Sequence, residues 1–410
     1  VHFDHSPQTQ ELIERFDRFF AEEIEPVEEP MLREMLAKDY ADRWVQPPVM
    51  EELKQKARAL GLWNLFLPDP EHGAGLSNVD YAPLAERMGR SIIAPEVCNC
   101  NAPDTGNMEV LHMFGSPEQK ERYLAPLLAG EMRSAFCMTE PDTASSDATN
   151  MMATALIDGD EIVINGRKWW STGIGHPNCD VLIFMGVTFP DADRHHRHSM
   201  VCIPKDAPGV TVERMLPAMG FFDEPGGHGE VVFRDVRLPK SAFIGEPGEA
   251  FAIAQARLGP GRVHHCMRLI GLAEMALELA IKRGMERVAF GKPIINLGGN
   301  RERIADARIA IDQTRLLVLQ AAWLLDERRP EALPAVSAIK VAAPRMACEV
   351  IDMAIQLHGG GGMSNDFPLA AAYAGARSLR LADGPDEVHQ GVLARLELAK
   401  YGAGKWAAKK

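Results

Sequence analysis

Residues 153–172 read ATALIDGDEIVINGRKWWST. Short β-branched runs alternate with polar residues, and Asp158-Gly159 and Asn165-Gly166 are dipeptides favoured in tight hairpin turns. The stretch therefore predicts antiparallel strands. VLIFMGV (181–187), SMVCIP (199–204), VTVERML (210–216) and GEVVF (229–233) continue the pattern, with Gly, Pro and Asp between the runs. A compact β domain is expected over residues 136–245.

On either side the apolar period changes from two to between three and four. Upstream, in ELIERFDRFFAEEIEPVEE (11–29), Leu12, Phe16, Phe19 and Phe20 fall on one helical stripe, punctuated by Pro26 and Pro30. SPEQKERYLAPLLAG (116–130) opens with Ser116 as a candidate N-cap and Pro117 at the first helical position. Residues 1–135 thus read as an N-terminal helical domain. Downstream, Ile270, Ala273, Leu277, Ala280, Ile281, Gly284 and Val288 recur at helical spacing, and two further long stretches (301–329 and 331–360) share that texture. Residues 246–410 are expected to form a helical bundle. The fold class is α+β, mainly α.

Composition narrows the function. The chain has 410 residues, 46% of them hydrophobic, and 44 Lys plus Arg against 57 Asp plus Glu for a formal charge of −13. That balance argues against binding nucleic acid through bulk charge, although the end, KYGAGKWAAKK, holds four lysines. Seven cysteines without CxxC spacing argue for reduced thiols and a cytoplasmic protein. No apolar run of about eighteen residues predicts a membrane span, so no integral membrane association is expected. There is no GxGxxG after a strand, no GxxxxGK[ST] and no GxSxG, which leaves Rossmann, P-loop and serine-hydrolase chemistry without an anchor.

Four segments can carry chemistry. FCMTEPDTASSDATN (136–150) offers hydroxyls and backbone N–H groups to a ring edge or phosphate, or is an ordinary turn. In NGRKWWSTG (165–173), strand alternation sends Trp169 and Trp170 to opposite faces, one to the core and one to a pocket, unless both are core. QLHGGGGMSNDFP (356–368) carries four glycines where a helix C-cap needs one, so either close backbone approach to a pyrophosphate or a flexible connector is implied. LRLADGPDEVHQ (379–390) places Asp383 on a turn before a helix started by Pro385, as a catalytic carboxylate or a plain turn residue. RHHRH (194–198) lacks carboxylates in a zinc pattern, and His264-His265 are adjacent rather than i,i+4, so no metal site is expected.

In order and spacing, FCMTEPDTASSD, GRKWWSTG, RVAFGKP, QLHGGGG and LADGPDEVH resemble the acyl-CoA dehydrogenase family along nearly the whole chain. The branch is the one fused in animals to a kinase-like domain, which this sequence does not include. The resemblance implies an N-terminal helical domain, a central β-barrel-like domain and a C-terminal four-helix bundle, with FAD as cofactor and a homodimer or homotetramer. It implies FAD contacts from Phe136, Met138, Thr139, Trp170, Thr172, Arg287, Phe290, Gln356, Gly359, Gly360 and Glu387. Ser146, Arg262, Val263, His264 and Gly384 would touch the acyl-CoA.

The family's bundle-type catalytic glutamate falls on Asp383, which would remove the α-proton while the β-hydride passes to the flavin, giving a trans-2-enoyl thioester. Electrons would go on to an electron-transferring flavoprotein. A buried acyl chain that displaces water would raise the base's pKa. Aspartate is one methylene shorter than glutamate, so the backbone must stand about 1.5 Å closer to substrate. Nitroalkane oxidase, on the same fold, also uses aspartate, which keeps a flavin oxidase as the alternative; a DNA-associated flavoprotein is a third reading. Gly298, Gly361 and Pro385 depart from residues common in the family.

Overall fold

The computed structural model describes residues 4–402, with backbone alone for 256–260. The chain opens with α1 (Pro7–Phe19), α2 (Glu25–Ala37), α3 (Pro48–Ala59), α4 (Asn78–Met88), α5 (Ala94–Val97), α6 (Asp104–Phe114), α7 (Pro117–Gln119) and α8 (Ala125–Leu128). Strands follow: β1 (Arg133–Cys137), β2 (Thr154–Asp158), β3 (Glu161–Thr172), β4 (Cys179–Val187), β5 (His198–Pro204), β6 (Val210–Met215), β7 (His228–Pro239) and β8 (Phe243–Ile244). The remainder is helical apart from one small hairpin: α9 (Ala250–Glu286), β9 (Val288–Ala289), β10 (Lys292–Pro293), α10 (Asn300–Asp326), α11 (Ala332–His358), α12 (Leu369–Ser378) and α13 (Asp386–Ala399). Val288, expected to extend the stripe of α9, instead lies in the hairpin and is largely exposed.

The chain forms two compact units that cut across its linear order. One holds the residues up to Phe20, Leu76–Pro95 and those from Pro260 on; the other holds Ala21–Gly75 and Glu96–Gly259.

In the helical unit, α1 and α4 join the C-terminal helices rather than the rest of the N-terminal segment. Asp80 draws them together, accepting from Ser6 Oγ at 3.0 Å and Thr9 Oγ1 at 2.8 Å while Ser77 caps α4. Burial pushes the Asp80 carboxyl up, but the hydroxyl donors outweigh it and its pKa is lowered. Asp326, at the end of α10, accepts from the backbone N–H groups of Asn78 and Val79 at 2.9 and 3.0 Å, a carboxylate on the positive end of α4. Gly271 of α9 lies against α4 so closely that a Cβ would stand 1.7 Å from the Glu86 carbonyl oxygen. Only glycine fits that helix crossing.

In the sheet unit, β1–β8 form one sheet in the order β6-β7-β3-β2-β4-β5-β8, with β1 added parallel to β4. The expected barrel-like closure is not present: β6 and β8 remain unpaired with each other among the described residues, so the sheet is open. Its core joins Ala155, Ile162, Ile164, Leu182, Val201, Ile203, Val231 and the edge-to-face pair Phe184 and Phe233, whose ring centres are 4.9 Å apart. Truncating either ring to Ala would cost about 3–5 kcal/mol.

The two hairpin dipeptides have different fates. Residues 159–160 join β2 to β3, with Asp158 opposite Glu161 and Gly159 at φ 60°. Asn165-Gly166 is no turn: it is a bulge inside β3, where the register against β7 shifts. Asn165 there exchanges two hydrogen bonds with Asp235, one to its side chain at 3.0 Å and one from its backbone at 2.8 Å, and a Cβ on Gly166 would meet Ala153 Cβ at 2.4 Å.

Candidate active site

The C-terminal turn is built from the backbone outward. After α12 the chain makes a turn in which Asp383 takes φ 55° and Gly384 φ 99°, and Pro385 caps α13 from outside the helix. A non-glycine residue in the left-handed region carries strain, so surrounding contacts must hold it. Arg262 Nε donates to the Asp383 carbonyl at 3.2 Å, and His389 Nε2 approaches the same oxygen at 3.2 Å. Lys340, 1% exposed, donates to the carbonyls of Leu379 and Ala382. Asp386 is buried between Arg345 and Arg380. The Asp383 carboxylate itself is 21% exposed and lies 3.4 Å from His265 Nε2.

That last contact revises the substrate positions expected on α9. Val263 and His264 are buried in the helical unit, and His264 points to Asn78 Oδ1 at 3.3 Å and to the edge of Tyr81. Burial pushes its pKa down to about 3. On a helix, adjacent residues diverge by about 100°, so only one of two neighbouring histidines can face the turn. It is His265. Periodicity could have found it, since Arg262, His265 and Arg268 stand three apart.

The glycine run separates into roles. Gly359 ends α11 at φ 63°. Gly361 and Gly362 are packed, a Cβ on Gly362 meeting Ile355 Cα at 2.8 Å, whereas one on Gly360 would meet nothing within 4 Å. Gln356, Gly359 and Gly360 are exposed. Beside the run, the Arg283 guanidinium lies over Phe367, and its buried Nε has no hydrogen-bond partner among the described residues. An open backbone segment next to an orphaned guanidinium donor has the chemistry of an anion site and fits a pyrophosphate. Arg283 was not singled out by sequence; nothing in its local pattern marks it.

In the β9–β10 hairpin, Phe290 and Gly291 occupy the turn at φ 52° and 78°, and Phe290 is 94% exposed. Arg287, just before it, is exposed, as are Glu387 and Ser146.

In the sheet unit, Phe136 ends near Met138 and Thr139, and Thr139 binds Trp169 twice: its Oγ1 donates to the Trp169 carbonyl at 2.8 Å, and its carbonyl accepts from Trp169 N at 3.0 Å. Neither tryptophan is core. Trp170 sits at φ 53°, which breaks the strand alternation, and is 42% exposed beside His228. Thr172 Oγ1 lies 2.9 Å from His228 Nδ1. Lys168 is fully buried here, and its ammonium meets Glu140 Oε1 and the Met138 carbonyl, both at 2.8 Å. Glu140 also accepts from the backbone N–H groups of Met152 and Ala153. This buried pair staples the 136–150 loop to β3, a role no composition rule marks in advance. The exposed Trp170 face suits a planar heteroaromatic ring.

Elsewhere in the sheet unit, Asp69, His72 and His112 bring ligand atoms within 4.8 Å of one another, with Asp69 Oδ2 2.6 Å from His72 Nδ1 and 3.9 Å from His112 Nε2. His198 of RHHRH is buried, with Nε2 at 3.2 Å from the Met151 carbonyl.

A chain with an N-terminal helical segment, an open mixed sheet and long C-terminal helices around an aspartate turn matches the family models in three parts. The N-terminal, middle and C-terminal domains of acyl-CoA dehydrogenase match residues 6–131, 135–236 and 248–398. The chain belongs to the acyl-CoA dehydrogenase family. It is 54% identical over 356 residues to the probable acyl-CoA dehydrogenase FadE2 of Mycobacterium tuberculosis, covering 86% of each. It is 52% identical over 400 residues to acyl-CoA dehydrogenase family member 10 of Mus musculus, covering 96% of this chain but only 37% of that protein. A solved Mycobacterium abscessus chain, itself assigned to the acyl-CoA dehydrogenases, is 68% identical with a TM-score of 0.96, covering 97% of this chain and all of that one.

Proposed function

We propose that the protein catalyses FAD-dependent α,β-dehydrogenation of a fatty acyl-CoA to the trans-2-enoyl-CoA, with Asp383 as base. The observation that carries this reading is the strained Asp383 turn, whose backbone carbonyls are held by Arg262, His389 and Lys340 while its carboxylate stays 21% exposed. The carboxylate takes the α-proton; its electron pair stays on Cα and delocalises into the thioester carbonyl. Bound FAD supplies the two-electron acceptor for the β-hydrogen.

Phe136, Met138, Thr139, Trp170 and Thr172 in the sheet unit would hold the flavin ring. In the helical unit, Gln356, Gly359, Gly360, Arg283, Arg287 and Phe290 would contact the FAD of a neighbouring subunit, and Glu387 would be a further cofactor contact. Arg262, Gly384 and Ser146 would contact the acyl-CoA. An aromatic as exposed as Phe290 supports a homodimer or homotetramer in which a second copy covers it. We take 1–135, 136–245 and 246–410 as the domains, electron-transferring flavoprotein as the electron acceptor and a cytoplasmic location, which suits seven buried cysteines held as thiols. No helix among the described residues is long and apolar enough to cross a membrane. The lysine-rich end beyond residue 402 lies outside the described residues.

Anaerobic titration with a panel of acyl-CoAs, following bleaching of the flavin, tests cofactor, reaction and substrate together. A second reading, a flavin oxidase acting on an acyl-CoA or nitroalkane, is favoured by aspartate in place of glutamate. Peroxide formed at the full turnover rate would select it.

A further inference from the structure

Three side chains of α9, spaced three residues apart, converge toward the Asp383 turn. Arg262 Nε reaches the Asp383 carbonyl at 3.2 Å, His265 Nε2 lies 3.4 Å from Asp383 Oδ2, and Arg268 Nη2 lies 3.1 Å from His265 Nδ1. A guanidinium has donors and no lone pair to offer, so at 3.1 Å His265 Nδ1 must be the acceptor. The one proton of the neutral imidazole then sits on Nε2, the nitrogen that faces the carboxylate.

We propose that His265 is the positioning residue of the base: as its Nε2–H tautomer, set by Arg268, it donates to Asp383 Oδ2 and so fixes the direction from which the carboxylate meets the substrate's α-proton. The inference rests on the reading of Asp383 as the base. At 3.4 Å a small ring rotation closes the contact to a hydrogen bond, and such bonds commonly tighten when substrate binds.

Two physical consequences favour this arrangement. With Nδ1 committed to Arg268, the imidazole is held neutral, and a neutral donor orients the carboxylate without the loss of basicity that an imidazolium beside it would cause. A short aspartate also has less freedom to find its substrate than a glutamate, so fixing one of its oxygens matters more. His265 itself exchanges no proton with the substrate: the α-proton ends on Asp383, and the Nε2 proton stays where it began. The neighbouring His264, buried against Tyr81, supplies an internal contrast, for it packs the core while His265, 19% exposed, stands at the site.

The test uses the FAD-loaded enzyme and a 3-thiaacyl-CoA, which has α-protons but no β-hydrogen, so α-proton exchange with D2O followed by NMR reads the base alone. His265→Phe is expected to slow exchange about 10-fold or more with probe affinity and FAD content unchanged, and His265→Gln, which keeps an N–H near Nε2, to return it to within about 3-fold of the parent. Nitrogen-15 shifts of His265 in the unmutated protein should place the proton on Nε2. A proton on Nδ1, unchanged exchange in His265→Phe, or a glutamine variant as slow as the phenylalanine one would each overturn the proposal. Asp383→Asn separates the two readings: if it keeps exchange, the base assignment itself fails; if it abolishes exchange while His265→Phe does not alter it, only the role of His265 fails.

Discussion

The Lys340 ammonium donates to the carbonyl of Ala382 at 2.8 Å, one residue before the candidate base, and to that of Leu379 at 2.7 Å. Burial pushes the lysine pKa down, partly countered by Cys266 and Asp383 nearby. The two carbonyls have left the helical ladder of α12, and the lysine replaces the water that would otherwise satisfy them. Lys340→Met should therefore strand both, at about 1–3 kcal/mol each, and loosen the turn. A fall in Tm together with a kcat that drops more than KM rises is the expected result; unchanged kcat in a folded variant would show the turn is held by Arg262 and His389 alone.

Replacing Asp383 by Asn keeps shape and removes the base. The variant should stay yellow and bind acyl-CoA, yet fail to bleach on anaerobic mixing. Bleaching at more than about a thousandth of the parent rate would place the base elsewhere.

Gly360→Ala and Gly362→Ala should differ in kind. A methyl on Gly362 would press into Ile355 of α11, and the variant should lose stability by about 1–3 kcal/mol. A methyl on Gly360 has open space in the chain, so Tm of the FAD-free protein should hold while FAD content falls. Equal FAD content in the two folded proteins would remove the glycine run from the cofactor site.

Arg287→Ala is expected to release FAD during gel filtration or shift the oligomer toward monomer, because the exposed Arg287 and Phe290 point away from their own chain. A fully loaded and unchanged oligomer would count against this hairpin as an interface.

Buried His264 makes stability depend on pH. Its pKa is pushed down to about 3, below that of an unfolded histidine near 6.5, so the unfolded chain binds the extra proton across that interval. The contribution is intact above about pH 6.5 and declines as the pH falls toward 3, reaching about 2 kcal/mol lost at pH 5. Urea midpoints at pH 7 and 5 should show this loss, and His264→Gln should flatten it. The same slope in the glutamine variant would assign it to other groups.

Ser116 shows what local chemistry can specify: its side chain accepts from Gln119 N and its backbone donates to Gln119 Oε1, the capping arrangement its sequence implies. Gly159 likewise turns the chain where an Asp-Gly pair predicts a hairpin. Asn165-Gly166 carries the same kind of signal, yet its partner Asp235 is 70 residues away, and pairing with β7 converts a turn sequence into a bulge. A dipeptide cannot register that competition.

The sequence by itself determined the helical, β, helical order, the family, and the aspartate turn, because turn residues and apolar periodicity act within a few residues of themselves. The tertiary structure decided that the sheet stays open, that Lys168 rather than a tryptophan is buried on β3, and that His265 rather than His264 faces Asp383. Each of those depends on groups brought together from far along the chain, as with Arg262 and Asp383, 121 residues apart. Burial and charge pairing at such distances are properties of the packed chain, not of any window within it.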